Sequence, residues 1–232
     1  MKTFNTVIFD LEDTMYPRRQ YIHSGCRAVS KYMSSIYGME CHKELEEACS
    51  STGIHTAMTM TFTKLFNNVD TGLINRLLHV WRCHTPLIQL YQDVRIALAI
   101  LRNMNMRLGV ISKDLPDVQE TKMAALELQD LLDSAFYGSD DDGADTMENA
   151  FHLLEVLAET SLNNVVFVGN GTTSDFETPR SLGVATVCIS RVEQPTSSPA
   201  ITPSRADMTI TSMMDLHDSI NRLEELRKVR AS

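Results

Sequence analysis

Three acidic side chains near the N-terminus could do chemistry on a bound ligand. Asp10, Glu12 and Asp13 follow directly on the apolar run at 7–9. A buried strand that ends on carboxylates presents them at the edge of a sheet, where one can act as a nucleophile or bind a hard cation such as Mg²⁺. The alternative is a strand followed by an acidic turn in contact with water. This motif alone leaves both interpretations open.

The composition is that of an ordinary globular protein with a net negative charge. The 232 residues, 43% hydrophobic and 22% charged, suffice for one large domain or for a domain with an insertion. The formal net charge of −9 argues against a nucleic-acid partner, because the surface would repel phosphate backbones. The sequence has no run of about 18 apolar residues, which a membrane span needs, so we expect no membrane partner. Five cysteines in no pairing pattern indicate reduced thiols, and we therefore expect a cytoplasmic protein.

Short apolar segments alternate with helical patterns through most of the chain. Strands of four to six residues separated by helices are typical of a doubly wound parallel α/β sheet. The Pro-, Ser- and Thr-rich stretch at 193–205 is predicted to be a loop. The predicted strands are 4–10, 107–111, 134–137, 165–168, 186–189 and 207–210. The predicted helices of this part are 94–104, 118–126, 147–159, 178–182 and 216–229.

The block from residue 18 to about residue 81 is predicted to be helical throughout. Gly38, Gly53 and Gly72 divide it as breaks or caps, and no strand pattern interrupts it. We therefore expect an all-helical cap insertion in the α/β fold. The predicted domains are an α/β core of 1–16 with 86–232 and a helical cap of 17–85.

The ends of the predicted strands indicate where a site would lie. Ligands of a doubly wound sheet bind beyond the carboxyl ends of its strands. Asp10 ends the first predicted strand, Ser112 and Lys113 follow the second, and Asn170 follows a third, with Asp175 a few residues further on. We expect these side chains to meet at one rim. Together they would offer carboxylates, a hydroxyl, an ammonium and a carboxamide to one ligand.

The same positions resemble the motifs of haloacid dehalogenase-like (HAD) hydrolases. The segment FDLEDTMYP at 9–17 is similar to the first motif, and VIS at 110–112 is similar to the second. The segment VFVGN at 166–170, together with Asp175, resembles the fourth. Order and spacing match the family from about residue 5 to about residue 220. The helical block falls where subfamilies with a helical cap have their insertion.

The resemblance implies a Mg²⁺-dependent phosphatase that acts on a small phosphorylated metabolite. Asp10 would attack phosphorus and form an aspartyl-phosphate, while Glu12 would protonate the leaving oxygen and then activate water. Ser112 would bind a phosphoryl oxygen. The metal ligands would be Asp10, Glu12, Asn170 and Asp175, and Mg²⁺ would screen the repulsion between the anionic nucleophile and the anionic substrate.

Three positions depart from the pattern of the family's phosphatases. Glu12 stands where Asp is usual, and its additional methylene moves the carboxyl group by roughly 1.5 Å, an error that can cost about a hundredfold in rate. Asn170 replaces a metal-binding Asp, so the site has one negative charge fewer. Asp145 falls where the third motif supplies a Lys, so an acid stands where the reaction needs a cation.

Two lysines could be considered as substitutes for the missing cation. Lys113 lies next to Ser112 and could bind the phosphate, with a side chain that points to solvent as the alternative. Lys122 lies in the middle of a predicted helix, where we expect a structural contact.

The cysteines and histidines of the helical block are not expected to bind zinc. His79 and Cys83 share one face of a helix, with His84 next to Cys83, and Cys41 and His42 are adjacent. However, no CxxC or HxxxH spacing supports a metal site, so packing is the expected role.

Two classes of function stay open. The first is a slow Mg²⁺-dependent phosphatase, which Asp10, Ser112 and Asp175 favour. The second is a catalytically weak or inactive HAD-fold protein that binds a ligand or a partner, which the three departures favour. A dehalogenase, which uses the same Asp nucleophile without a metal, is a third possibility. The identity of the substrate, the pathway and the oligomeric state stay open.

Overall fold

The structure is a computed structural model that divides into two compact units. The units are Met1–Pro17 with Leu90–Ser232, here called the α/β unit, and Arg18–Gln89, here called the helical unit. The predicted loop at 193–205 lies outside the described residues. The structure describes residues 4–67, 69–138, 146–157, 160–171, 176–191 and 206–231.

The α/β unit is built on a sheet of six parallel strands in the order β3-β2-β1-β4-β5-β6. This confirms the doubly wound parallel α/β fold that the sequence predicts. All residues of β1, β4 and β5 are buried, as expected for apolar strands with helices on both faces of the sheet. The strands are β1 Thr6–Phe9, β2 Arg107–Lys113, β3 Ser134–Gly138, β4 Val165–Gly169, β5 Ala185–Ile189 and β6 Met208–Ile210.

Strand β2 extends two residues beyond its predicted end. Ser112 and Lys113 pair with Tyr137 and Gly138 of β3, so they form the last residues of the strand and do not lie after it. The neighbouring strand continues the ladder past the apolar run, which is why the hydrophobic pattern alone ended the strand too early.

Five helices of the α/β unit lie within a few residues of their predicted positions. One side of the sheet is fixed by aromatic contacts: the ring of Phe167 in β4 lies 5.9 Å from that of Phe151 and 6.1 Å from that of Phe176, in edge-to-face geometry. These contacts hold the strand whose end carries Asn170. The helices are α5 Gln92–Asn103, α6 Pro116–Ala125, α7 Thr146–Leu157, α8 Glu177–Ser181 and α9 Leu216–Ala231.

The helical unit contains four helices and, over 18–67 and 69–89, no strand. Gly38 follows α1 with a φ of 65°, the usual conformation after a helix end, and Gly53 precedes α3. Gly72 lies in the first turn of α4, because this helix begins at Thr71, so the prediction of a break or cap at Gly72 is wrong. The helices are α1 Arg18–Tyr37, α2 His42–Ser51, α3 Ile54–Phe66 and α4 Thr71–Arg82.

Helices α1 and α4 pack closely because α1 has a glycine at the contact. A Cβ at Gly25 would lie 2.6 Å from the ring of Trp81, which no real side chain could accept without movement. None of the helices in the described part of the chain is long and apolar enough to span a lipid bilayer.

Candidate active site

The ends of three adjacent strands form the candidate site. Strand β1 lies between β2 and β4, and the backbone N–H of Asp10 donates to the carbonyl of Val168 at 2.9 Å. Ser112 at the end of β2 and Asn170 after β4 both bond to the loop after β1. Asp10, Ser112 and Asn170 are thus at one edge of the sheet. Asp145 and Asp175 lie outside the described residues.

The side chain of Glu12 lies at the centre of this hydrogen-bond network. Its Oε2 accepts a hydrogen bond from Ser112 Oγ at 2.9 Å, and its Oε1 accepts one from Lys122 Nζ at 2.7 Å and one from Tyr16 Oη at 3.2 Å. Asn170 Nδ2 donates to the backbone carbonyl of Glu12 at 3.1 Å. Glu12 therefore connects the loop after β1 to β2, to α6 and to the end of β4. We call Glu12, Ser112 and Lys122 the strand-end cluster.

Asp10 is oriented by a tight turn that follows it. Thr14 Oγ1 donates to Asp10 Oδ2 at 3.0 Å. Two backbone hydrogen bonds close the turn. The N–H of Asp13 donates to the carbonyl of Tyr16 at 2.8 Å, and the N–H of Met15 donates to the carbonyl of Leu11 at 3.0 Å. Asp13 has a φ of 54°, a left-handed conformation that Asp tolerates better than most residues. The turn brings Thr14 back over the carboxylate it binds.

Lys122 supplies a cation at the strand ends, where the sequence had indicated Lys113. Its side chain is 3% exposed, and its ammonium binds Glu12 and, at 3.1 Å, Asp114. Gln119, three residues earlier on α6, donates from Nε2 to Ser112 Oγ at 2.9 Å. Residues three apart lie on one helix face, and here that face is directed at the site. Two polar residues on the same face as the buried Val118 were the signal that could have revealed this.

Lys113 lies differently from Lys122. Its side chain is exposed, whereas that of Ser112 beside it is buried, because consecutive strand residues point to opposite faces. Within the described residues, the ammonium that reaches Glu12 belongs to Lys122. The role of Lys113 in phosphate binding stays a prediction.

The oxygen atoms at the strand ends fit a magnesium ion. Asn170 Oδ1 is buried and accepts no hydrogen bond from the described residues, and an amide oxygen in that state is a ready ligand for a hard cation. The carboxylate of Glu12 is bound by an ammonium and two hydroxyls, whereas its backbone carbonyl accepts one hydrogen bond, from Asn170 Nδ2, and keeps a second lone pair for a metal. Asp10 would add a carboxylate from the adjacent strand. The predicted ligand Asp175 is not among the described residues.

The largely buried side chain of Arg191 holds the turn after β1 in place. Arg191 Nη2 donates to the carbonyl of Thr14 at 2.9 Å, Nη1 lies 2.7 Å from Asp93 Oδ2, and the guanidinium lies 3.9 Å from the centre of the Tyr91 ring. Burial acts to raise the pKa of Asp93, but hydrogen bonds from Arg191 and from the N–H of Met213, with the charge of Arg191, outweigh it and lower this pKa. No motif or periodicity in the sequence marks Arg191 as this anchor.

The sequence matches the family model of haloacid dehalogenase-like hydrolases over residues 7–189. The chain therefore belongs to the haloacid dehalogenase-like hydrolases, as the motifs at the strand ends predict. No curated protein matches the chain in sequence.

Solved structures of this family share the fold. A predicted phosphoglycolate phosphatase from Haemophilus somnus 129PT has a TM-score of 0.68 at 15% identity, over 94% of this chain and 99% of that one. A HAD-hydrolase from Bacillus subtilis bound to magnesium has a TM-score of 0.66 at 15% identity, over 94% of this chain and 99% of that one. L-2-haloacid dehalogenase from Xanthobacter autotrophicus has a TM-score of 0.59 at 15% identity, over 94% of this chain and 99% of that one. Phosphatases and dehalogenases thus share this architecture.

Proposed function

We propose that the protein is a Mg²⁺-dependent phosphatase that hydrolyses a small phosphate ester through an aspartyl-phosphate on Asp10. The observation that carries the proposal is the position of the Lys122 ammonium, 2.7 Å from Glu12 and in one network with Ser112. Phosphoryl transfer needs a cation beside the nucleophile, and the third-motif position has an acid instead. Lys122 can take that role from α6.

The proposed reaction has two steps, both centred on Asp10. In the first, Glu12 gains a proton from solvent, an Asp10 oxygen forms a bond to phosphorus, the ester P–O bond breaks, and the leaving oxygen takes the proton from Glu12. In the second, Glu12 removes a proton from water, which attacks phosphorus and releases Asp10 and inorganic phosphate. The Thr14 hydroxyl holds the Asp10 carboxylate in orientation, and Arg191 holds Thr14 through its carbonyl.

The transferred group would bind to Ser112 and Lys122. A hydroxyl and an ammonium are suitable donors for two phosphoryl oxygens. A bound Mg²⁺ would neutralise charge between nucleophile and substrate, held by Asp10, Asn170 Oδ1, the Glu12 carbonyl and Asp175. The similar HAD-hydrolase bound to magnesium supports this choice of metal.

Glu12 makes the proposed enzyme slow, because its carboxylate already occupies the donors that the phosphoryl group needs. Both of its oxygens accept hydrogen bonds, one from Ser112 and one from Lys122. A substrate must displace this internal anion, and Glu12 must leave these partners before it can transfer a proton. An Asp at this position would be one methylene shorter and would reach these donors less well.

The decisive experiment compares the wild type with Asp10→Asn on a panel of phosphomonoesters, with Mg²⁺ and with a chelator. We expect phosphate release that needs Mg²⁺ and falls at least about a thousandfold in Asp10→Asn. Activity that survives the substitution would contradict the proposal. Chloride release from L-2-chloropropionate without Mg²⁺ would favour a dehalogenase instead.

The engaged state of Glu12 favours one alternative, a catalytically weak or inactive protein that binds a ligand. In that case neither the wild type nor Glu12→Asp would turn over any ester of the panel. Calorimetry with inorganic phosphate and with Mg²⁺ would then measure whether the strand-end cluster still binds the ions that a phosphatase binds.

A further inference from the structure

The helical unit contains a second cluster of side chains that can bind a metal. His23 of α1 and His42 and Glu46 of α2 offer three ligand atoms that all lie within 4.8 Å of one another. His23 Nδ1 lies 3.1 Å from Glu46 Oε1, and His42 Nε2 lies 3.5 Å from Glu46 Oε2. We propose that this two-helix cluster, His23, His42 and Glu46, is a binding site for a divalent transition metal of the zinc class.

The spacing of the atoms suits tetrahedral coordination. Metal–ligand bonds of about 2.0–2.2 Å place the ligand atoms of a tetrahedral zinc site about 3.3–3.5 Å apart. Each imidazole nitrogen already lies near that distance from one oxygen of the Glu46 carboxylate, His23 Nδ1 from Oε1 and His42 Nε2 from Oε2. His42 and Glu46 are four residues apart and therefore on one face of α2. Closing the site requires only a small adjustment of His23, whose side chain is 47% exposed.

One ligand atom of the cluster is buried and makes no hydrogen bond to any residue that the structure describes. This atom is Nε2 of His42, although Glu46 lies close to it. Buried polar atoms are normally satisfied, so this nitrogen indicates a missing partner. A metal ion between His42 and Glu46 would provide it.

The chemistry of the ligands selects the kind of metal. Two imidazoles and one carboxylate suit zinc and its neighbours in the transition series, whereas Mg²⁺ and Ca²⁺ prefer oxygen ligands alone. Three protein ligands leave one position for water or an anion. His42 lines an open cleft of about 810 Å³ that Arg27 and Lys31 also line. This cleft gives the ion a path from solvent. Glu40 also lines it and offsets part of the positive charge, so water suits the fourth position as well as an anion does.

The test is titration of the full-length protein with Zn²⁺, in saturating Mg²⁺ so that the strand-end site does not contribute. We expect one Zn²⁺ per chain, with affinity at least about tenfold lower in His42→Ala and in Glu46→Gln. Glu46→Gln keeps the size of the side chain, and circular dichroism verifies that each variant folds. Matched controls are His55→Ala, on the exposed face of α3, and His79→Ala, beside Cys83.

Several results would overturn the proposal. They are absence of Zn²⁺ binding by the wild type, unchanged affinity in His42→Ala, and loss of binding in His79→Ala. The spectrum of the Co²⁺ form provides an independent measurement. Nitrogen and oxygen ligands give visible bands without thiolate charge transfer, whereas a thiolate band would assign the ion to a cysteine and refute the cluster.

Discussion

The two units of the molecule hold their polar clusters in opposite ways. In the strand-end cluster the side chains of Lys122 and Glu12 are 3% and 21% exposed. In the two-helix cluster those of His23 and Glu46 are 47% and 41% exposed. Charges in a low dielectric interact strongly and lose much if one partner is removed, whereas exposed pairs are screened by water.

This difference indicates what each cluster must do before it can act. The buried cluster has its charges already paired, so a substrate has to exchange partners with Glu12. The exposed cluster has only weak pairs to give up, so an ion can enter at little cost. Four predictions test this contrast, from the largest expected effect to the smallest.

Removing the buried ammonium should have the largest effect. Lys122→Met should lower kcat/KM by about a hundredfold or more, because no other described cation contacts Glu12. It should also lower the free energy of unfolding by about 3 kcal/mol, because Glu12 and Asp114 lose their shared cation. Steady-state kinetics and urea denaturation measure the two effects.

The matched control is Lys64→Met, an exposed lysine on α3 of the helical unit, which should change stability by about 0.5 kcal/mol or less. A larger loss of activity in Lys113→Met than in Lys122→Met would instead assign the phosphate-binding cation to Lys113.

Replacing Arg191, which binds the turn after β1, should destabilise the α/β unit in a pH-dependent way. Arg191→Met should cost about 3 kcal/mol near neutral pH, because it leaves the half-buried Asp93 without its cation. The pKa of Asp93 is lowered in the folded state, so its stabilising contribution is present above the ordinary Asp pKa of about 4 and is lost as the pH falls through the lower folded value. The difference between variant and wild type should therefore shrink on acidification, in urea denaturation from about pH 7 to about pH 3. A difference that does not change with pH would contradict this assignment.

Shortening the side chain at position 12 from Glu to Asp should increase turnover. Glu12→Asp should raise kcat/KM about tenfold, because the shorter carboxylate releases Ser112 and Lys122 to a phosphoryl group. Glu12→Gln is the matched control and should lower activity, because the amide cannot transfer the proton. If Glu12→Asp is slower than the wild type, the resting hydrogen bonds of Glu12 are not what limits the reaction.

The smallest effect is expected for the coupling energies of the two charged pairs, Glu12–Lys122 and His23–Glu46. A double-mutant cycle on Glu12 and Lys122 should give a coupling energy of about 2 kcal/mol, whereas one on His23 and Glu46, in chelator, should give about 0.5 kcal/mol or less. Salt at 1 M, with a Debye length of about 3 Å, should remove the second coupling and leave most of the first. Equal couplings would refute the contrast between the units.

The sequence by itself determined the fold and the meeting of the main site residues. Alternation of short apolar strands with helices predicts a parallel sheet, and parallel strands end at a common edge. Asp10, Ser112 and Asn170, which lie far apart in the chain, therefore had to approach one another. The motifs predicted the family for the same reason, because they fall at those strand ends.

Only the tertiary structure decided which charges pair. Whether Lys113 or Lys122 reaches Glu12 depends on the rotation of α6 against the sheet, and no periodicity in the sequence fixes that rotation. The anchor of Arg191 on Thr14 joins residues 177 positions apart. The approach of His23 to His42 and Glu46 depends on how α1 docks on α2. Side-chain packing sets such contacts to within an ångström, whereas sequence patterns specify only which face of an element is apolar.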